Sequence, residues 1–156
     1  MTQYNHNRER SPQRTTPDVT YQPQIDALLR KIVFSRSDMP KDIFSDIAEE
    51  AAKIVKNGTN KNKRTQLRRF YDELVMWNDS VQMVKQRAEK YDELAPFIKM
   101  LKAKAAYAKG RDHVDEKFEK IFSHCINKIE NHETLLYCKL FMEAFMGYYR
   151  ALENKS

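Results

Sequence analysis

The stretch ETLLYCKLFMEAFMGYYRAL, residues 133–152, decides the fold of this chain. On a helical wheel, apolar and aromatic side chains cover most of its circumference. A helix that is apolar all round is either central to a bundle or buried against another subunit. The stretch therefore predicts a long central helix whose aromatic residues contact a further subunit. The residues expected at that subunit interface are Phe141, Phe145, Tyr148 and Tyr149.

Apolar residues repeat at helical spacing in five further segments toward the N-terminus. These segments are residues 25–33, 40–56, 65–90, 96–109 and 114–129. No segment alternates convincingly with period two. The sequence therefore predicts an all-α chain, a small helical bundle of about five to six helices.

The ends of the chain and of its helices follow from composition. Residues 1–23 are polar, lack periodicity and contain three prolines, which predicts a disordered N-terminal arm before a single helical-bundle domain over residues 24–156. Asp38 and Thr65 are expected to cap helix N-termini, and Gly58 and Gly110 to end helices. Pro96 is expected to break the chain between two helices.

Composition also limits the functional classes. The chain has 156 residues and no apolar run near the roughly 20 residues that span a bilayer. Its polar N-terminus does not read as a signal peptide, so we expect a cytoplasmic protein without membrane contact. Cys125 and Cys138 occupy apolar helical positions, which indicates buried thiols rather than a disulfide. With His124 and His132 they match no zinc-finger spacing, so no metal and no cofactor is expected.

Two windows carry concentrated positive charge. Residues 56–69, KNGTNKNKRTQLRR, hold six basic residues, and residues 97–111, FIKMLKAKAAYAKGR, hold five; neither window contains an acidic residue. Together they exceed the net charge of +6, so the rest of the chain is slightly acidic. Such concentration is typical of proteins that bind a phosphate backbone.

The arrangement within each window favours the same partner. Lys99, Lys102 and Lys109 fall on one side of a helical wheel, beside small alanines that would let a polyanion approach the backbone. In the first window, arginines surround the N-terminus of the following helix, where free N–H groups attract phosphate. We expect Arg64, Arg68, Arg69, Lys102, Lys109 and Arg111 to form one continuous strip facing the polyanion.

Catalytic patterns are missing from the sequence. Adjacent acidic pairs such as Asp72 and Glu73 point about 100° apart on a helix and do not converge. The four histidines show no H-E-x-x-H pairing, and there is no glycine-rich phosphate loop. The sequence therefore predicts a binding protein that is not an enzyme.

Three blocks in register resemble a known family. They are RTQLRRFYDEL at residues 64–74, FIKMLKAKAAYAKGR at 97–111 and LLYCKLFMEAFMGYYRAL at 135–152. Over residues 41–152 the chain resembles the Csm small subunit of type III-A CRISPR effector complexes.

The resemblance implies a non-catalytic subunit acting in antiviral defence. Several copies would stack along the effector filament and contact the backbones of guide RNA and target RNA without sequence specificity. The implied protein partners are further copies of the chain, the repeat-containing backbone subunits and the large signature subunit. The candidate RNA-binding residues are Lys61, Lys63, Arg64, Gln66, Arg68, Arg69, Lys99, Lys102, Lys109 and Arg111.

Two other interpretations stay open. An unrelated helical nucleic-acid-binding protein, such as a helix-turn-helix regulator, would need base-reading side chains where residues 97–111 offer lysines and alanines. A helical protein-protein interaction module would use the basic windows only as solvated surface. Three aromatic residues, Tyr71, Trp77 and Tyr107, could stack on bases. Tyr71 and Trp77 lie on or near the apolar stripe, which favours a core or interface position, whereas Tyr107 lies between the basic and apolar faces and its role stays open.

Overall fold

The computed structural model describes residues 21–153 and contains seven α-helices in that range. Helix α4 (Arg87–Lys99) and helix α5 (Leu101–Gly110) are separated only by Met100, so the described range has six helices when these two are counted as one. No strand occurs in the described range. The prediction of an all-α bundle is confirmed. The helices are α1 (Gln22–Lys31), α2 (Ala48–Lys56), α3 (Arg64–Gln82), α4 (Arg87–Lys99), α5 (Leu101–Gly110), α6 (Glu116–Asn127) and α7 (His132–Glu153).

Helix α1 begins earlier than the sequence predicted. Gln22 and Pro23 belong to it, with Pro23 in its first turn, where a missing N–H costs nothing. Residues 22 and 23 of the predicted arm are therefore helical, and its residues 1–20 lie outside the described residues. Ile25 and Leu28 of α1 are buried in the same core as the later helices.

Helix ends are where the sequence was least informative. Gly58 has a φ of 67° after α2, as expected of a left-handed terminus. Pro96 lies inside α4 instead of breaking it, and the interruption falls at Met100. Buried Ile98 and Leu101 lie on the two sides of that interruption, so core packing holds this part of the chain in place. After α5 the residue with positive φ is Asp112, at 60°, so Gly110 is not the left-handed cap.

Two predicted N-caps are also wrong. Lys63 precedes the first residue of α3, and no side chain caps that end, so Thr65 lies inside the helix. Before α2 the chain forms a π-helical turn, Ile43–Ile47, and Asp38 instead accepts a hydrogen bond from Ser35 Oγ at 3.2 Å. Short local hydrogen bonds of this kind compete with capping.

Helix α7 is the centre of the bundle, packed between α2 and α3. Phe141, Phe145 and Tyr149 are at most 3 % exposed, and only Tyr148 among the predicted interface residues reaches the surface in part. The aromatic side chains of α7 are buried by this chain's own helices. The expectation that Phe141, Phe145 and Tyr149 lie on a subunit interface is therefore corrected.

The rest of the core is also aromatic and aliphatic. The Phe70 ring lies 5.4 Å from that of Phe118 and 5.1 Å from that of Phe122. Cys125 and Cys138 are free and buried, as predicted, and burial raises the pKa of both thiols. None of the helices in residues 21–153 has the length and apolar character needed to cross a membrane.

Candidate nucleic-acid interface

Asn62 joins the two basic windows, and sequence reasoning missed it. Its backbone N–H donates to the His113 carbonyl at 3.2 Å, and its side-chain oxygen accepts from the Asp115 N–H at 2.8 Å. Its side-chain NH₂ donates to the Val55 carbonyl at 3.1 Å, and the backbone carbonyl of Asn62 accepts a hydrogen bond from the Tyr149 hydroxyl. The residue is fully buried with a φ of 58°, a conformation that asparagine adopts more readily than most residues. The loop before α3 is thereby fastened to the turn after α5.

Two further contacts set the register between α3 and the α4–α5 segment. The Glu73 carboxylate pairs with Lys104 Nζ at 2.6 Å, and the Trp77 ring stacks on Phe97 with centroids 6.0 Å apart. From Asn62 to Glu73 to Trp77 the residue number increases, whereas the number of the contacted residue decreases from 113 to 104 to 97. The α3 segment and the α4–α5 segment therefore run antiparallel, with the N-terminus of α3 beside the C-terminus of α5.

Arg69 is the α3 arginine that faces α5. It lies four residues before Glu73 and eight before Trp77, so the three share one helix face. Within residues 21–153, no acidic side chain pairs with Arg69, Lys63 or Lys109, and all three are exposed. These cations are available to a polyanion.

The other two arginines of α3 point elsewhere. Arg64 lies on the α7 side, with its guanidinium 3.5 Å from the Glu153 carboxylate. Arg68 is exposed and lies 3.8 Å from Asp72. The Lys61 ammonium pairs with Asp112 at 2.9 Å, and Gln66 is half-buried. The first window is therefore acid-free in sequence but partly neutralised in space.

Lys99 has a structural role, which corrects its prediction as an RNA contact. Its Nζ donates to the Ile126 carbonyl at 2.7 Å and to the Ile129 carbonyl at 2.6 Å, at the C-terminal end of α6. Burial, followed by the nearby charge of Lys102, lowers the pKa of Lys99. A cation at a helix C-terminus satisfies carbonyls that have no partner within the helix.

Lys102 and Lys109 lie on the opposite side of α5 from α3. Lys102 Nζ donates to the Asn127 side chain of α6 at 2.6 Å, and Lys109 is seven residues further along the same face. Lys104, by contrast, points to α3 through its pair with Glu73. The six residues predicted as one continuous strip are therefore divided by the axis of α5.

Between the two sides runs a ridge of small exposed residues, Ala103, Ala106 and Gly110. We call Lys102 and Lys109 the α6-side row. We call Arg69, Lys104 and Arg111 the α3-side row. A polyanion lying along the ridge would meet the helix backbone closely and have cations on both sides.

Tyr107 lies at the edge of the ridge and is 66 % exposed. Arg111 Nη1 donates to its hydroxyl at 3.2 Å, and the guanidinium carbon lies 5.8 Å from the ring centroid. This Arg–Tyr contact leaves Arg111 exposed at the C-terminus of α5. The only signal for it in the sequence is the i,i+4 spacing of the two residues.

Exposed apolar side chains gather at the other end of the α3–α5 contact. Met76 and Met100 are each 48 % exposed, and Phe97 is 51 % exposed although it stacks on Trp77. We call Met76, Phe97 and Met100 the apolar patch. No group of three metal-ligating side chains comes together within residues 21–153.

Comparison with protein families yields one match. A sequence model of the family described as Csm2 Type III-A matches residues 39–155, about three quarters of the chain. Helix α1 precedes the matched range. Comparison with curated proteins and with solved structures finds no match.

Proposed function

The chain belongs to the Csm2 family, the small subunits of type III-A CRISPR complexes, and from this we propose that it is a non-catalytic subunit that binds RNA phosphates along α5. The observation that carries the proposal is the ridge Ala103–Ala106–Gly110 with cations on both sides. The partner is the backbone of guide RNA and target RNA, held during antiviral defence. The family match supports a subunit of this kind of complex, and the surface chemistry supports the RNA contact.

The side chains of the ridge favour phosphate contact over base reading. Arginine and lysine bind phosphate oxygens of any sequence, whereas base reading in RNA or DNA uses directed donors and acceptors. Gln66, the one amide among the predicted RNA contacts, is half-buried. Small side chains at Ala103 and Ala106 put no bulk between a phosphate and the helix. Binding independent of sequence follows.

Three acidic residues near the candidate interface are used in structural contacts, which supports a non-catalytic subunit. Asp115 accepts a hydrogen bond from the Phe118 N–H at 3.1 Å and caps α6. Glu73 pairs with Lys104, and Asp112 pairs with Lys61. General acid–base catalysis needs two groups that converge on one substrate position, and these carboxylates are spread over separate contacts.

The apolar patch is the surface we assign to contact with a further copy of the chain in the assembled complex. Exposed methionine and aromatic side chains are enriched at protein interfaces. The patch lies at the opposite end of the α3–α5 contact from Arg69 and Arg111, so one molecule can bind a neighbour and RNA together. Replacing Met100 with Glu should weaken association between copies, measured by sedimentation of the assembled complex, and leave the RNA affinity of the free subunit unchanged. If the Met100→Glu variant still assembles fully, the apolar patch is not part of the interface between copies.

Salt dependence tests the RNA proposal directly. The isolated chain should bind unrelated RNA sequences with similar, weak affinity. With three to four phosphate contacts, affinity should fall about 20- to 50-fold between 50 and 200 mM salt. A strong preference for one sequence, or an affinity that does not change with salt, would contradict phosphate binding. The protein-interaction interpretation would then be favoured.

A further inference from the structure

Tyr107 is the most exposed aromatic side chain in residues 21–153, and the fold gives it no packing role. Its exposure of 66 % contrasts with Phe97, whose ring stacks on Trp77. Within residues 21–153 the polar partner of the phenol is Arg111, through a hydrogen bond at 3.2 Å and a guanidinium 5.8 Å from the ring centroid. The Arg111 side chain therefore orients a ring that the core does not hold.

The space beside the ring is open on one side. In a helix, the neighbours of Tyr107 on its own surface are the residues three and four positions away. On one side these are Lys104 and Arg111, and on the other they are Ala103 and Gly110. A Cβ atom added at Gly110 would meet no atom within 4 Å. The α5 residues next to the ring on that side, Ala103 and Gly110, carry nothing larger than a methyl group.

Arg69 lies across from Tyr107. The Glu73–Lys104 ion pair fixes one point of contact between the antiparallel helices. Four residues back along α3 is Arg69, and three residues forward along α5 is Tyr107, steps of about 6 Å and about 4.5 Å in the same direction. Arg69 and Tyr107 are therefore at neighbouring levels of the two antiparallel helices, and the ridge of α5 borders the ring on its other side.

We propose that Tyr107 is a stacking site for an unpaired nucleobase of the RNA whose phosphates lie along the ridge. This inference rests on the proposed function, to which it adds a base contact. A tyrosine ring stacks on any base, so binding at this site does not depend on RNA sequence. The Arg111 guanidinium adds a cation beside the ring. The base would enter from the open side above Ala103 and Gly110, while Arg69 and Lys109 bind the flanking phosphates.

The charges around the ring favour a nucleobase over a protein side chain. Lys104, Lys109 and Arg111 lie within four residues of Tyr107 on α5, and Arg69 lies opposite. Lysine is depleted at the centres of protein interfaces, and two of these four cations are lysines. An aromatic ring among cations is instead typical of proteins that bind single-stranded nucleic acid.

The test uses the full chain and single-stranded RNA carrying 2-aminopurine, whose fluorescence falls when it stacks. Binding of the unaltered chain should quench the fluorophore. Tyr107→Leu should abolish the quenching and weaken affinity about 5- to 50-fold, with the slope of affinity against salt unchanged. Tyr107→Phe should keep both. Met83→Leu is the control, a change at a side chain that is 84 % exposed just after α3 and outside the apolar patch, and it should leave quenching and affinity unaltered.

The outcomes separate this inference from the proposed function. If Tyr107→Leu quenches and binds like the unaltered chain, the stacking site is wrong, while a steep salt dependence still supports phosphate binding. If Tyr107→Leu impairs association between subunits and leaves RNA binding intact, the ring belongs to a protein interface and the inference is overturned. If the unaltered chain shows no salt-dependent RNA binding, the proposed function fails as well. Circular dichroism should show native helicity in each variant, since the ring is exposed.

Discussion

Helix α7 and helix α5 both lack the usual division into an apolar face and a mixed-charge face, and they use that departure in opposite ways. Helix α7 is surrounded by α2, α3 and the π-helical turn, so most of its aromatic side chains are buried in the core. Helix α5 buries only Leu101 and Ala105 fully and presents the rest of its circumference to neighbours or solvent. The position of each helix in the bundle explains its residue pattern. A helix at the centre needs apolar residues all round, whereas a helix at the surface can carry a ridge flanked by cations.

The largest effect should come from α7. Phe145→Ala removes a ring that packs against Phe118 and Tyr149 and is 1 % exposed, which should reduce the free energy of unfolding by about 3–5 kcal/mol. Tyr148→Ala, on the half-buried side, should cost much less. Chemical denaturation of the isolated chain measures both. If both variants lose the same small amount of unfolding free energy, Phe145 is not a core residue and lies at a subunit interface instead.

The connection between the two basic windows should be almost as sensitive. Asn62→Ala removes two side-chain hydrogen bonds from a buried site with positive φ, leaving the Val55 carbonyl and the Asp115 N–H without those partners. The expected loss is roughly 2–4 kcal/mol of unfolding free energy. Asn60→Ala, an exposed neighbour in the same loop, should change it by less than about 0.5 kcal/mol. If the two variants unfold alike, Asn62 does not hold the windows together.

The particular residues show what sequence could and could not predict. Apolar spacing was enough to find the helices, because burial of a periodic face is a local property of the chain. It could not separate Lys99, which binds carbonyls of α6, from Lys109, which is exposed, because the difference depends on which helix lies beside α5. The same holds for α7, whose aromatic surplus fits a core or an interface equally well until its neighbours are known. Asn62 lies in a loop without apolar periodicity, and its hydrogen-bond partners lie on three different parts of the chain, so the local sequence could not identify its role.

Lys99 and Lys109 should therefore respond oppositely to the same change. Lys99→Ala removes two charged hydrogen bonds at the end of α6 and should destabilise the fold by about 1–3 kcal/mol. Lys109→Ala should leave stability within about 0.5 kcal/mol and weaken RNA binding. Thermal unfolding and RNA titration of both variants distinguish the two roles. A stable Lys99→Ala variant with reduced RNA binding would reinstate Lys99 as an RNA contact.

The smallest effect is a pH dependence from His124. Burial lowers the pKa of His124 from 6.5, partly offset by its hydrogen bond with the Ile32 carbonyl at 3.0 Å. As pH falls through 6.5, the unfolded chain takes up a proton that the folded chain resists, so stability should fall; above 6.5 the contribution is constant. Denaturation between pH 7.5 and about pH 5 should show this slope, and His124→Gln should flatten it. An identical slope in the variant would assign the pH dependence to other groups.

The most direct test of the account is charge reversal with one residue taken from each row beside the ridge. Arg69→Glu with Lys109→Glu should weaken binding of an unrelated RNA sequence roughly tenfold or more at constant salt, with unfolding free energy nearly unchanged. The matched control is Lys41→Glu with Lys85→Glu, which makes the same change in net charge at two exposed lysines away from the ridge. Lys85 follows the C-terminus of α3, roughly 20 Å along the helix from Arg69. A control that binds RNA close to the unaltered chain would confirm binding at the ridge, whereas equal weakening by both double variants would show that net charge alone attracts RNA.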